Sequence, residues 1–212
     1  MRITKCSRGL FKLSLSSIIL VLLFGCPSVE VVDGPNQTTK RIVIEVDWTT
    51  PEPPPPAVLQ AAKNIMQSAC SYGTVVEFRL DKGVPEQGHG TWDIFDCRKF
   101  VFLNKKNKDT FYMLWALGVH ADSPTIGGKS WNRRDFAVFP QVYGNNTQAL
   151  QCTIVHEWLH CVGLVDKYLK MQTHHKHPVG HHCSTLGCIM FPVGGLNLCG
   201  YCRADLAAGE LK

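Results

Sequence analysis

The helix predicted over residues 147–162 restricts this chain more than any other stretch of its sequence. It reads TQALQCTIVHEWLHCV and is followed directly by Gly163, which is typical of a helix end. Residues four apart lie on one face of a helix, so His156 and His160 can direct ring nitrogens at one cation. Glu157 lies about 100° further around the helix axis, beside such a cation rather than on it. The pattern is typical of a zinc site in which the carboxylate is the general base toward a water molecule.

A zinc site of this kind needs a third ligand from the protein. Gly163 can adopt a left-handed conformation that turns the chain back beneath the metal, which brings Asp166 to the third position. The alternative is His182, which requires segment 166–181 to loop out and return. We predict Asp166 as the ligand and interpret most of that segment as a solvated loop. The segment offers further candidate ligands at His174, His175, His177 and His181.

The N-terminal residues 1–25 have the pattern of a secretory signal. Four basic side chains and no acidic one precede the apolar run LSLSSIILVLLFG, which ends directly before Cys26. The stretch LFGC resembles the bacterial lipobox, and this resemblance implies that Cys26 is lipidated and becomes the mature N-terminus. We therefore predict an exported, membrane-anchored lipoprotein, in the periplasm or at the cell surface, with a tether over residues 26–40. An uncleaved N-terminal membrane anchor is the alternative.

The charge and the cysteines restrict the partners and the compartment. Beyond residues 1–25 the chain carries 18 basic and 17 acidic side chains, so its sequence gives no indication of nucleic-acid binding. Cys6 and Cys26 lie in the signal and at the anchor. Eight cysteines remain: Cys70, Cys97, Cys152, Cys161, Cys183, Cys188, Cys199 and Cys202. Export and an even number of cysteines favour disulfides, and Cys70 with Cys97 is the bridge that we predict.

The order of predicted elements indicates an α/β domain, residues 41–212, with one mixed twisted sheet. Strands are predicted over 41–48, 74–80, 98–104, 111–118 and 135–140, and a further helix over 57–70. The chain beyond Gly163 is rich in Gly, His and Cys and reads as loops. We divide the domain into a sheet and helix part, 41–163, and a loop-rich C-terminal part, 164–212. The cleft is expected between these two parts.

The stretch HEWLHCVGLVD matches the pattern HExxHxxGxx(H/D) and resembles the metzincin zinc endopeptidases. It has their aspartate variant, as in snapalysin-like members. The resemblance implies a zincin-like fold and a catalytic Zn²⁺ held by His156, His160 and Asp166. It also implies that Glu157 is the catalytic base in the hydrolysis of peptide bonds.

The C-terminal part carries a second resemblance. HCSTLGCIM followed by CGYC is similar to the end pattern of archaemetzincins, in which the third histidine directly precedes the first cysteine. It implies that His182 is the third ligand and that Met190 belongs to a Met-turn below the metal. A second, structural Zn²⁺ would be held by Cys183, Cys188, Cys199 and Cys202. From the residues alone, disulfides among these four remain open, and we favour zinc.

We predict from these observations an exported zinc-dependent endopeptidase that is a monomer and acts on a peptide or protein. In metzincins the substrate lies extended along an edge strand, and TIGGKSW, residues 125–131, is the matching piece by chain order. A plain glycine turn is the alternative for this piece. Two other functions remain open for the chain. One is a non-catalytic surface lipoprotein that binds or stores zinc, and the other is a structural lipoprotein whose HExxH helix is merely packed.

Overall fold

The computed structural model describes residues 40–70, 73–165, 182–192 and 194–208. The predicted signal segment, Cys26 and Asp166 lie outside the described residues. None of the helices within these ranges is long and apolar enough to cross a membrane.

The described chain is organised around a five-stranded sheet with the strand order β2-β1-β4-β7-β6. The seven strands are β1 (Arg41–Trp48), β2 (Val75–Gly83), β3 (Thr91–Trp92), β4 (Phe111–Trp115), β5 (Val119–His120), β6 (Gly128–Ser130) and β7 (Asp135–Val138) in the part of the chain that the structure describes. Strands β2, β1, β4 and β7 are parallel, while β6 runs antiparallel to β7 at the edge. The short strands β3 and β5 form a separate parallel pair. The predicted α/β class with one mixed sheet is confirmed.

Helices cover both faces of this sheet. They are α1 (Pro56–Ala69), α2 (Ile94–Asn104), α3 (Thr147–Cys161) and α4 (Gly200–Ala208) within the described ranges, with short 3₁₀ turns at Pro85–Gln87 and Pro140–Val142. Successive residues of a strand point to opposite faces. On β4, Met113 and Trp115 are buried in a core with α1 and α3, whereas Tyr112 and Leu114 are buried in a second core with α2. Helices α2 and α3 therefore lie on opposite faces of the sheet.

Residues 98–104 are helical, so the strand that we predicted there is wrong. The Asp93 side chain accepts hydrogen bonds from the backbone N–H groups of Phe95 (2.7 Å) and Asp96 (2.8 Å). The Asp96 side chain accepts in turn from the Asp93 N–H (3.3 Å), which completes a capping box at the start of α2. The buried residues of α2 are Cys97, Phe100, Val101 and Asn104, at helical spacing. This spacing and the cap override the strand preference of the aromatic and β-branched side chains.

Two further predictions are corrected by the structure. Residues 200–208 form helix α4, where we expected loops. Cys70 and Cys97 are both free thiols, so the predicted bridge does not form. Cys70 packs against the core on the α1 and α3 face, while Cys97 belongs to the core on the α2 face. The sheet thus separates the two side chains.

Candidate active site

Helix α3 is fixed at both of its ends, and the sequence predicts the end at Gly163. The Asn146 side chain accepts a hydrogen bond from the Ala149 N–H (3.0 Å) at the first turn. At the other end Gly163 has φ 87°, which confirms the predicted left-handed turn. The Gly163 N–H donates to the His160 carbonyl (3.0 Å). The contact at this second end holds the last turns of α3, which carry His156 and His160.

The structure brings three histidines together at the end of α3. His156, His160 and His182 each offer a ring nitrogen, and these atoms all lie within 4.8 Å of one another. The Nε2 atoms of His156 and His160 are 3.1 Å apart. Two nitrogen ligands on a tetrahedral zinc ion, each about 2.0–2.1 Å from it, are separated by about 3.3 Å. The donor set and its spacing therefore fit zinc, with His182 as the third member. Asp166 lies outside the described residues and stays a prediction.

His156 is oriented by a backbone carbonyl, a contact that the sequence did not predict. Its Nδ1 lies 2.7 Å from the backbone carbonyl oxygen of Ile189. In the tautomer whose Nδ1–H donates to this carbonyl, the lone pair of Nε2 is directed at the other histidines. Burial lowers the pKa of His156 below its ordinary value, which favours the neutral ring. The neutral imidazole is the form that binds a metal.

Glu157 is buried beside the histidines and against the edge strand. Burial raises the pKa of its carboxyl group to about 7, and hydrogen bonds from the side chain and backbone of Ser130 act in the opposite direction. A Cβ atom on Gly128 would lie only 2.6 Å from Glu157 Cγ, so the close approach of β6 requires glycine at this position. A carboxyl group with a pKa near 7 can accept and release a proton near neutral pH.

The three histidines and Glu157 open into a cleft of about 1040 Å³. One wall is β6, whose outer edge is not paired with another strand among the described residues, so residues 128–130 are an edge strand as predicted for TIGGKSW. The C-terminal part contributes the other wall through Gly194, Gly195 and Leu196. An open sheet edge offers backbone N–H and carbonyl groups to an extended peptide.

Four cysteines of the C-terminal part form a second group next to the histidines. The Sγ atoms of Cys183, Cys188, Cys199 and Cys202 lie within 4.8 Å of one another, and none of the four forms a disulfide with another described residue. The Sγ atoms of Cys183 and Cys199 are 3.8 Å apart. This matches the separation of about 3.8 Å expected for two thiolates on a tetrahedral zinc ion, and not the bond of about 2.05 Å in a disulfide. The four-cysteine group therefore fits zinc.

Backbone N–H groups donate to the sulfur atoms of this group. Thr185 N–H donates to Cys183 Sγ (3.4 Å), Cys199 N–H to Cys188 Sγ (3.4 Å) and Cys202 N–H to Cys199 Sγ (3.5 Å). The hydrogen bond from the Cys202 side chain is the main reason why the pKa of the Cys188 thiol lies below its ordinary value. Donors directed at sulfur stabilise the thiolate form, which is the form that binds a cation.

The two groups are joined through adjacent residues of the chain. His182 directly precedes Cys183, and Ile189, whose carbonyl contacts His156, directly follows Cys188. The Cys183 N–H donates to the carbonyl of Met190 (2.8 Å), and the Met190 side chain is fully buried. The turn that carries the four cysteines therefore orders both His182 and the Ile189 carbonyl that contacts His156. The assignment of Met190 as a Met-turn residue stays a prediction.

The contacts of Glu157 with Gly128 and Ser130 join residues that lie far apart in sequence. In the sequence, the paired glycines of TIGGKSW were the only indication of these contacts, because glycine is typical of close backbone approach. The contact of His156 with the Ile189 carbonyl left no signal, since any residue supplies that group.

The fold is similar to that of a solved zincin-like protein. The crystal structure of archaemetzincin from Methanopyrus kandleri matches with a TM-score of 0.57 and 13% identity, over 84% of this chain and 100% of that chain. No protein-family model and no curated protein sequence matches this chain. The structural match confirms the zincin-like fold and, with the four-cysteine group, supports the archaemetzincin resemblance. The described residues lend no support to the snapalysin-like variant.

Proposed function

We propose that this chain is a zinc-dependent endopeptidase that hydrolyses peptide bonds in the cleft beside β6. The observation that carries this proposal is the grouping of His156, His160 and His182 next to the buried Glu157 at an open sheet edge. The fold supports it, because its resemblance to archaemetzincins implies a zinc peptidase.

The three histidines are the proposed ligands of the catalytic zinc, with His182 in place of the Asp166 that we predicted from the sequence. Zinc bound there supplies a Lewis acid that polarises the scissile carbonyl and lowers the pKa of water to about 7. His182 is supported by its place within 4.8 Å of the other ring nitrogens. The four cysteines are the proposed ligands of a second, structural zinc.

Glu157 is the proposed general base and general acid. Its carboxylate takes a proton from the attacking water and then delivers it to the nitrogen of the leaving amine. The hydrogen bonds from Ser130 hold the carboxylate at the edge strand. The outer-edge backbone groups of β6, apart from the Ser130 N–H that donates to Glu157, bind the peptide as an added strand, which places a carbonyl above the histidines.

The residues before the described domain are the proposed means of export and anchoring. The basic start, the apolar run and Cys26 support a cleaved signal with a lipid on that cysteine. Metabolic labelling with a radioactive fatty acid tests this. We expect label on the native chain and none on Cys26→Ala.

The experiment that tests the peptidase is Glu157→Gln, measured for proteolysis and for bound zinc. We expect activity to fall by about 10²–10⁴-fold, because the amide cannot accept the proton. The zinc content should stay unchanged, because Glu157 is not a ligand. The exposed Glu86→Gln is the matched control and should keep both. A native chain that binds zinc without cleaving any protein would instead support the zinc-binding lipoprotein.

A further inference from the structure

The outer face of α2 exposes apolar side chains that none of the described residues covers. Phe95, Phe102 and Leu103 are 72%, 86% and 62% exposed. The buried residues of α2 occupy its other side, toward the sheet. Phe95 and Phe102 are two helical turns apart and lie on one face, with Leu103 beside them. Single exposed apolar residues are common, but such a row on one helix indicates a contact surface.

Basic side chains border this apolar face. They come from α2, from the loop that follows it and from the turn between β6 and β7: Arg98, Lys99, Lys105, Lys106, Lys108, Arg133 and Arg134. The acidic side chains on these segments are Asp93, Asp96, Asp109 and Asp135. Six of the cations, together with Phe102 and the half-buried Trp131, line a groove of about 1000 Å³.

Only part of this positive charge is neutralised inside the domain. Lys105 pairs with Asp135 at 2.7 Å, and Lys106 pairs with Asp81. Asp93 and Asp96 cap the start of α2. The four cations Arg98, Lys99, Lys108 and Arg133 form no ion pair within the described residues and are exposed to solvent.

We propose that this face of α2 docks on an anionic lipid surface. Phe95, Phe102 and Leu103 enter the boundary between headgroups and acyl chains, and the four unpaired cations bind lipid phosphates. Buried apolar area and electrostatic attraction to anionic lipids both strengthen binding at a membrane interface, and this face of α2 offers apolar and basic side chains together. Each cation near such a surface raises the affinity about fivefold. An acidic protein would also match the charge, and the experiment separates that partner from lipid.

The position of α2 leaves the cleft free in this arrangement. Helix α2 covers one face of the sheet, and α3, with His156 and Glu157, covers the opposite face. A membrane against α2 therefore does not cover the histidines. The contact is separate from the lipid predicted at Cys26 and does not depend on the proposed peptidase activity.

Hydroxyl-radical footprinting with mass spectrometry tests the contact on the full chain. Because the apolar run before Cys26 is expected to bind any vesicle, the readout has to be local to α2. In phosphatidylcholine vesicles that contain phosphatidylglycerol, oxidation of Phe95 and Phe102 should fall at least about threefold. Vesicles of phosphatidylcholine alone should leave it unchanged. Tyr201, which is 64% exposed on α4, is the internal control and should keep its rate.

Charge variants separate the role of the cations from that of the apolar side chains. Arg98→Gln with Lys99→Gln should abolish most of the protection that depends on phosphatidylglycerol, as should about 1 M salt. The matched control is Lys40→Gln with Lys82→Gln, two exposed lysines outside this surface, which should keep the protection.

Four results would overturn the proposal. Protection of Phe102 without vesicles would show that another part of the chain or a second copy covers α2. Equal protection by neutral vesicles would remove the role of the cations. Equal protection by soluble polyglutamate would show an acidic protein partner. Unchanged oxidation with every vesicle would show that α2 faces solvent.

Discussion

The three-histidine group and the four-cysteine group differ in how they meet solvent. His156, His160 and His182 provide three donors and line an open cleft. The cysteines provide four donors, and three of the four side chains are fully buried. Structural zinc sites have four protein ligands and are closed, whereas catalytic sites have three and keep one position open. This difference supports the catalytic role that we propose for the histidines and the structural role that we propose for the cysteines.

The three-histidine group should also depend on the four-cysteine group. The third histidine and the carbonyl that orients His156 both belong to the turn that the cysteines hold. The histidine group should therefore fail when the cysteine group is lost, while changes at the cleft should leave the cysteine group intact.

The largest effect is expected for Cys188→Ser combined with Cys202→Ser. Structural zinc contributes directly to folding free energy, so the turn with His182 should lose its order. We expect loss of both zinc ions, measured by elemental analysis, and rapid proteolysis after residue 181. Cys70→Ser, at a free thiol in the other part of the domain, is the control and should keep both ions. Retention of one zinc ion and full peptidase activity would contradict the dependence.

A smaller effect is expected for Gly128→Ala at the cleft. The new Cβ would lie 2.6 Å from Glu157 Cγ and 2.8 Å from Thr153 Cγ2, so the edge strand has to move away from α3. We expect kcat/KM to fall by about 10- to 100-fold, since misplacement of about 1 Å has effects of this size. Both zinc ions should remain. Gly90→Ala is the control, because no atom lies within 4 Å of its new Cβ. Equal activity of the two variants would show that the spacing of β6 and Glu157 has no role.

The smallest effect is expected for Ser130→Ala, which removes the side-chain hydrogen bond to Glu157 and leaves the backbone one. This hydrogen bond favours the charged carboxylate, so its loss should raise the pKa of Glu157 further. The general base has to be deprotonated, and the acid limb of the kcat/KM profile should therefore move to higher pH. The rate at neutral pH should fall about fivefold, the equivalent of about 1 kcal/mol. A shift of the limb to lower pH would contradict this role of Ser130.

The sequence predicts the elements whose pattern is local. Strand β1 over residues 41–48 and helix α3 follow from periodicity. The end of α3 at Gly163 follows because glycine readily adopts the positive φ that the turn requires. Helix α2 was misread because RKFVFLN favours strands by composition, while its capping box at Asp93 decides the conformation.

The third ligand could not be settled by local reasoning. Asp166 was preferred because it follows the glycine turn, so little chain has to be ordered to bring it to the metal. The structure brings His182 to the other two histidines, because the cysteines fix the residue next to it, while Asp166 lies outside the described residues. That effect depends on contacts among cysteines spread over residues 183–202, which no short pattern expresses.

Zinc stoichiometry in His182→Ala and Asp166→Ala decides which residue is the third ligand of the catalytic zinc. We expect two zinc ions per native chain, one in His182→Ala and two in Asp166→Ala. The zinc that His182→Ala retains should be displaced by a thiol reagent, as expected for the cysteine group. Loss of the ion from Asp166→Ala with full retention in His182→Ala would contradict the three-histidine site.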